Sequence, residues 1–278
     1  MGGTAGGKTM ALMETHYYSF SMQSNITLNV FVPTPGSDGS ITEMNNNKKY
    51  DYEEGLPVVY LLHGAYGDAF SWIRYSNIDR YAQDRGIVVV MASAGNSFYQ
   101  DLKGGNAYYT FFTQELPAFI RNVFPVSKKR EKTFVAGFSM GGYGAWYFGL
   151  SRPDLYAKAA SMSGAIDIAG LCANRVPGND PFPWEAAFSD VYENGEFHLS
   201  GSKYDPFALY DQDVKNGLVP KLYQAVGYDD FLYQSNQYVK EQMEKRGADL
   251  TYEEDEGGHD WNFWDKYIQH ILDWLLAE

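Results

Sequence analysis

The chain has 278 residues, 45% hydrophobic and 17% aromatic, with 22 basic against 35 acidic side chains and a formal net charge of -13. That length and apolar content bury a sizeable core and exclude a disordered chain, and the acidic balance repels nucleic acid and anionic membranes, which bind through clusters of lysine and arginine. A single cysteine, Cys172, excludes an intrachain disulfide, and no stretch approaches the roughly twenty apolar residues of a membrane span.

Residues 1–12 read as a flexible leader, with no apolar core behind basic residues to mark a secretory signal, so a cytoplasmic setting is expected. Gly2, Gly7, Lys8 and Thr9 match the spacing of a phosphate-binding loop. Such a loop needs a preceding strand to aim it and only Met1 precedes this one, so no nucleotide is expected. Residues 13–278 read as one α/β domain around a mostly parallel sheet flanked by helices.

Residues 17–22 and 26–33 alternate apolar and polar side chains around Ser24-Asn25, as an opening antiparallel hairpin does, and 36–54 is a polar loop. Residues 58–62 and 87–91 are short apolar runs, strands buried on two faces, with helical spacing over 72–82 between them. Helical spacing returns over 108–124, where Pro117 predicts a kink or break near Thr113. Strands follow at 133–137 and 157–163, then at 222–226 and 250–253, and a helix over 260–276 closes the chain. Residues 165–218 break the alternation. They are rich in proline, glycine and aromatic residues, too long for an unstructured loop, and read as a cap-like insertion that shapes substrate access.

Gly137-Phe138-Ser139-Met140-Gly141 stands between the strand at 133–137 and a helix-compatible run at 143–150. A serine at the apex of a strand–turn–helix is the nucleophile elbow of α/β-hydrolases, and it requires a base and an acid later in the chain, acid first. A serine hydroxyl attacks only when a base takes its proton, and the base needs a third group to hold its tautomer. His259, in Gly257-Gly258-His259-Asp260-Trp261 between the last strand and the last helix, is where this topology puts the base. His16 and His63 precede the elbow, His198 falls in the insertion and His270 lies within the final helix. The acid follows residues 222–226, where Asp229 and Asp230 are adjacent and spacing does not choose between them. The oxyanion requires backbone amides, assigned to Met140, after the serine, and to Ala65 in His63-Gly64-Ala65-Tyr66-Gly67, with Gly64 the alternative. Five histidines and one cysteine form no compact ligand set, so neither a metal nor an organic cofactor is expected.

Tyr60-Leu61-Leu62-His63-Gly64, the run Arg130 to Gly144 and Asp230-Phe231-Leu232-Tyr233 together resemble the esterase D group of α/β-hydrolases, most of all the bacterial tributyrin esterases. S-formylglutathione hydrolases and feruloyl or acetylxylan esterases are relatives in that group. The resemblance implies that Asp230, just before the Phe-Leu-Tyr sequence, is the acid. It also likens Asn96 to Asp101 to a pocket-lining Asn-Gly-Trp-Tyr-x-Asp stretch, from which Ser97 and Phe98 depart, and so suggests Tyr99 and Asp101 as substrate contacts. Trp184 of the insertion is a third. The implied activity is a serine carboxylesterase hydrolysing short-chain acyl esters. The alternatives are a feruloyl or acetylxylan esterase, an S-formylglutathione hydrolase-type thioesterase, an acyltransferase, or a binding module that keeps the fold without catalysis. The expected partner is a small-molecule or oligosaccharide ester, and a homo-oligomer is compatible with all of this.

Overall fold

Val58–Leu62 is apolar at every position because both of its faces are covered. Val58, Tyr60 and Leu62 join one cluster of buried side chains and Val59 and Leu61 the other, the alternation that a central strand between two helical layers imposes. The computed structural model describes residues 10–34, 50–175 and 182–277 and sets this strand in the middle of an eight-stranded sheet.

In chain order the elements are β1 (Met10–Ser19), β2 (Ser24–Pro33), β3 (Val58–Leu62), α1 (Ser71–Tyr75), α2 (Ile78–Arg85), β4 (Val88–Ala92) and α3 (Tyr108–Thr110). A π-helical turn (Phe111–Glu115), α4 (Leu116–Val123), β5 (Thr133–Phe138), α5 (Met140–Ser151), β6 (Lys158–Met162), α6 (Ile168–Ala173) and α7 (Trp184–Ala187) follow. The chain then runs through the β7 (Tyr192–Glu193) and β8 (Glu196–Phe197) ribbon, α8 (Pro206–Asn216), β9 (Lys221–Gly227), α9 (Tyr233–Lys245), β10 (Leu250–Asp255) and α10 (Trp261–Leu276). The sheet order is β1-β2-β4-β3-β5-β6-β9-β10. Strand β2 is antiparallel to β1 and β4, and the six strands from β4 to β10 are parallel. Winding reverses at β3, which lies between β4 and β5, so the loops leaving β3 and β5 diverge and open a crevice at the carboxyl edge. Among the described residues no helix is long and apolar enough to cross a membrane.

Several expectations shift. Residues 10–12 are not leader but sheet, with Ala11 opposite Val32 and Leu12 opposite Phe31; the Gly2 to Thr9 pattern and residues 35–49 lie outside the described residues. The first hairpin turns at residues 20–23, earlier than Ser24-Asn25, because Glu115 draws in the Ser19 hydroxyl and the Phe20 and Ser21 amides. The helix read over 72–82 is two, broken where Ser76 Oγ bonds back to the Trp72 carbonyl and accepts from the Ile78 amide. Pro117 acts as anticipated. It cannot donate to the Thr113 carbonyl four residues back, the helix passes through a π turn there, and Arg152 Nη1 donates to that carbonyl at 2.7 Å instead. Within the insertion, Trp184, Phe188, Leu199, Tyr204 and Tyr210 are buried in the same core cluster as β3.

Candidate active site

Ser139 follows β5 directly and sits at the N-cap of α5 with φ 55 and ψ -121. A non-glycine residue in that region costs about 1–3 kcal/mol, offset here by the bonds that fix it. Its amide donates to the Met162 carbonyl at 2.9 Å, and its carbonyl accepts from the amides of Gly142, Tyr143 and Ala165. The flanking glycines answer to crowding. A Cβ on Gly137 would lie 2.4 Å from the Gly141 carbonyl oxygen, and one on Gly141 would lie 2.5 Å from that of His63. The strain is on the serine itself, and the glycines let α5 lie against β3 and β5.

His259 and Asp230 come from the loops after β10 and β9, and those loops are tied together where the Asp229 amide donates to the Gly257 carbonyl at 3.0 Å. Asp229 is exposed, whereas the Asp230 carboxylate is fully buried. Asp230 Oδ2 and Oδ1 stand 2.9 and 3.0 Å from His259 Nδ1, and His259 Nε2 stands 2.9 Å from Ser139 Oγ. Burial pushes the Asp230 carboxyl up, but the His259 ring, the Ser163 hydroxyl and the Leu232 amide together hold it below its ordinary value. Ser163 Oγ accepts from Trp264 Nε1 at 3.0 Å, which leaves its own proton for Asp230. With an ionised carboxylate at Nδ1, that nitrogen carries the proton and Nε2 is the acceptor facing the serine. Asp260, the next residue, caps α10 through the Asn262 and Phe263 amides, so His259 is spared that task.

His63 has the opposite surroundings. Its ring is buried, Nδ1 donates to the Gly64 carbonyl at 2.7 Å, and Nε2 accepts from the Ala94 amide at 2.8 Å. Burial lowers its pKa against the Gly64 carbonyl and the Asp68 charge. The neutral ring therefore holds the loop that carries Ala65. Ala65 and Met140 line the cavity in front of Ser139, and among the described residues neither amide meets an acceptor. Gly64 does not line the cavity, and a Cβ on it would lie 2.4 Å from the Phe138 ring.

The cavity has a volume of about 670 Å³, and among the described residues no lysine or arginine lines it. Ser139 and His259 share it with Tyr66, Tyr75, Phe98, Leu171, Phe182, Phe231 and Trp261. None of the three substrate contacts read from the sequence lines it. Tyr99 is fully buried and its hydroxyl donates to the His63 carbonyl at 2.8 Å, supporting the loop from behind. Asp101 accepts from the amide and hydroxyl of Thr110, the last residue of α3. Trp184 is buried 4.8 Å behind the Phe98 ring, centroid to centroid. Phe98 and Tyr99 both have positive φ, 50 and 59, which puts Phe98 at the cavity and turns its neighbour into the core. Alternation along an extended segment could not anticipate that. Phe231 was within reach of sequence reasoning, since it adjoins Asp230.

The family model described as "Putative esterase" matches residues 40–275. An acetyl esterase of Caldicellulosiruptor saccharolyticus is 34% identical over 272 residues, spanning 96% of this chain and 98% of its own. Among solved structures, FphF, a fluorophosphonate-binding serine hydrolase of Staphylococcus aureus, superposes with a TM-score of 0.83 at 29% identity over 97% of this chain and 99% of its own. The S-formylglutathione hydrolase FrmB, also of Staphylococcus aureus, gives 0.80 at 30% identity over 97% and 100%.

Proposed function

The chain belongs to the esterase family, with an α/β-hydrolase fold and carboxylic ester hydrolase activity, and from that premise we propose that it is a serine carboxylesterase cleaving short-chain acyl esters by way of an acyl-enzyme on Ser139. The observation that carries the reading is the unbroken relay from Ser139 Oγ through His259 to Asp230, with contacts of 2.9 to 3.0 Å. His259 Nε2 takes the Ser139 proton as Oγ attacks the ester carbonyl, and Asp230 stabilises the imidazolium. The Ala65 and Met140 amides receive the oxyanion, and the imidazolium then protonates the departing alcohol. Water, deprotonated by the same ring, releases the acid.

The cavity supports neutral substrates. Glutathione conjugates carry carboxylates, which a lining without lysine or arginine and a chain of net charge -13 do not attract. The acetyl esterase relative supports a short acyl group. Leu171 and Phe182 of the insertion line the cavity, which supports a role for that segment in substrate access. A panel of p-nitrophenyl esters of increasing chain length, with S-formylglutathione beside them, tests the reading: activity should be highest on acetate to butyrate, and a preference for S-formylglutathione would overturn it.

A further inference from the structure

Two of the most exposed large apolar side chains in the molecule, Tyr66 at 76% and Phe231 at 75%, line the catalytic cavity. An exposed aromatic ring needs no explanation by itself, but these two stand beside different parts of the chemistry. Tyr66 follows Ala65, on the oxyanion side. Phe231 follows Asp230, and its ring centroid is 4.4 Å from that of His259, the planes tilted by 46°.

The stereochemistry of ester cleavage separates the substituents of the tetrahedral carbon. One is Ser139 Oγ and one is the oxyanion held by the amides. The alkoxy oxygen must come within hydrogen-bond reach of His259 Nε2, because that nitrogen supplies the proton on which the alcohol departs. The alcohol therefore leaves beside His259, and Phe231 is an exposed lining ring in contact with that side chain. The Phe231 ring is open to solvent, whereas other lining rings such as Phe98, Phe138 and Trp264 are buried. A buried wall suits an acyl group that is enclosed. An exposed apolar ring beside the proton donor suits an alcohol with a flat apolar face, the rest of which stays in water.

Resting on the serine esterase reading above, we propose that Phe231 selects the alcohol half of the substrate by stacking on a ring-bearing alcohol, aryl or pyranose, as that alcohol takes its proton from His259. Ring stacking at a half-open site amounts to about a fivefold to tenfold effect on acylation. Once the alcohol has left, the acyl-enzyme is the same for every acetate, so Phe231 has no part in selectivity at deacylation.

The test compares wild type, Phe231→Ala and Phe231→Leu on four acetates: phenyl acetate, an O-acetylated methyl xyloside, ethyl acetate and triacetin. Phe231→Ala should lose about fivefold to tenfold more in kcat/KM on the two ring acetates than on the two acyclic ones. Phe231→Leu, which keeps apolar bulk but no ring face, should fall between. The ring acetate with the larger loss identifies the aryl or the sugar source. Equal losses on all four esters with a displaced pH–rate profile would make Phe231 a positioning residue for His259 and overturn the proposal, as would no loss on any. If the wild-type protein hydrolysed none of the acetates, the esterase reading itself would fail, a result distinct from an unselective Phe231 variant.

Discussion

His63, directly after β3, and His259, just beyond β10, sit at the same edge of the sheet, and their surroundings separate a ring that holds structure from one that can move a proton. The His63 ring is buried with both nitrogens spent on backbone groups, the Gly64 carbonyl and the Ala94 amide. His259 has one nitrogen on the buried Asp230 carboxylate and the other on a serine hydroxyl. Backbone partners cannot exchange a proton usefully at neutral pH. A carboxylate can steady a cation, and a serine can give a proton up. The lesson is that the partners, more than the residue type or its place at the carboxyl edge, decide what a histidine does.

The largest expected effect comes from deleting the proposed proton carrier. His259→Ala should lower kcat by about 10⁴-fold or more with an unchanged circular dichroism spectrum, and a loss below about a hundredfold would erase the distinction between the two histidines. Asp230→Asn keeps the side-chain shape but leaves His259 without an anion and favours the wrong tautomer. It should cost about 10³- to 10⁴-fold in kcat, read as single-turnover acylation. His63→Gln should act on stability first, lowering unfolding free energy by about 1–3 kcal/mol because a buried backbone group loses its partner. Denaturant titration measures that, and the loss in kcat should stay far smaller than for His259→Ala.

A smaller effect concerns pH. Burial holds His63 below its ordinary value of 6.5, so between the two values the unfolded chain binds a proton that the native ring refuses. The stability contributed in this way is present above about pH 6.5 and is lost as the pH falls through the native value. Thermal midpoints of the wild type should therefore drop more steeply below pH 6.5 than those of His63→Gln. Parallel curves would show that His63 does not set the acid sensitivity.

Much of this was legible in the chain, for local reasons. The elbow is written in consecutive residues, and the place of His259 beside Ser139 follows from its position after the last strand. Buried strands such as β3 announce themselves by unbroken apolar runs. The choice between Asp229 and Asp230 was not legible from spacing, because it depends on which side chain faces inward once Gly227 and Gly257 bring two loops together; a Cβ on Gly227 would lie 2.1 Å from the Gly257 carbonyl oxygen. The cavity wall was read one residue out of place at Tyr99, since the positive φ of Phe98 and Tyr99 is not encoded by any glycine. Asp101 and Trp184 were misplaced for a related reason: a polar residue can tie down nearby backbone, as Asp101 does at Thr110, and an aromatic one can back a wall, as Trp184 does behind Phe98. Leu171 and Phe182 reach the cavity through the fold of the insertion, which local periodicity does not reveal.

On the proposed mechanism Ser139 becomes covalently acylated because His259 can take its proton. Intact-mass analysis after reaction with a fluorophosphonate tests it most directly. One adduct per chain is expected, mapped to the peptide carrying Ser139, absent in Ser139→Ala and greatly slowed in His259→Ala. An adduct that persists in Ser139→Ala, or full-rate labelling of His259→Ala, would contradict it.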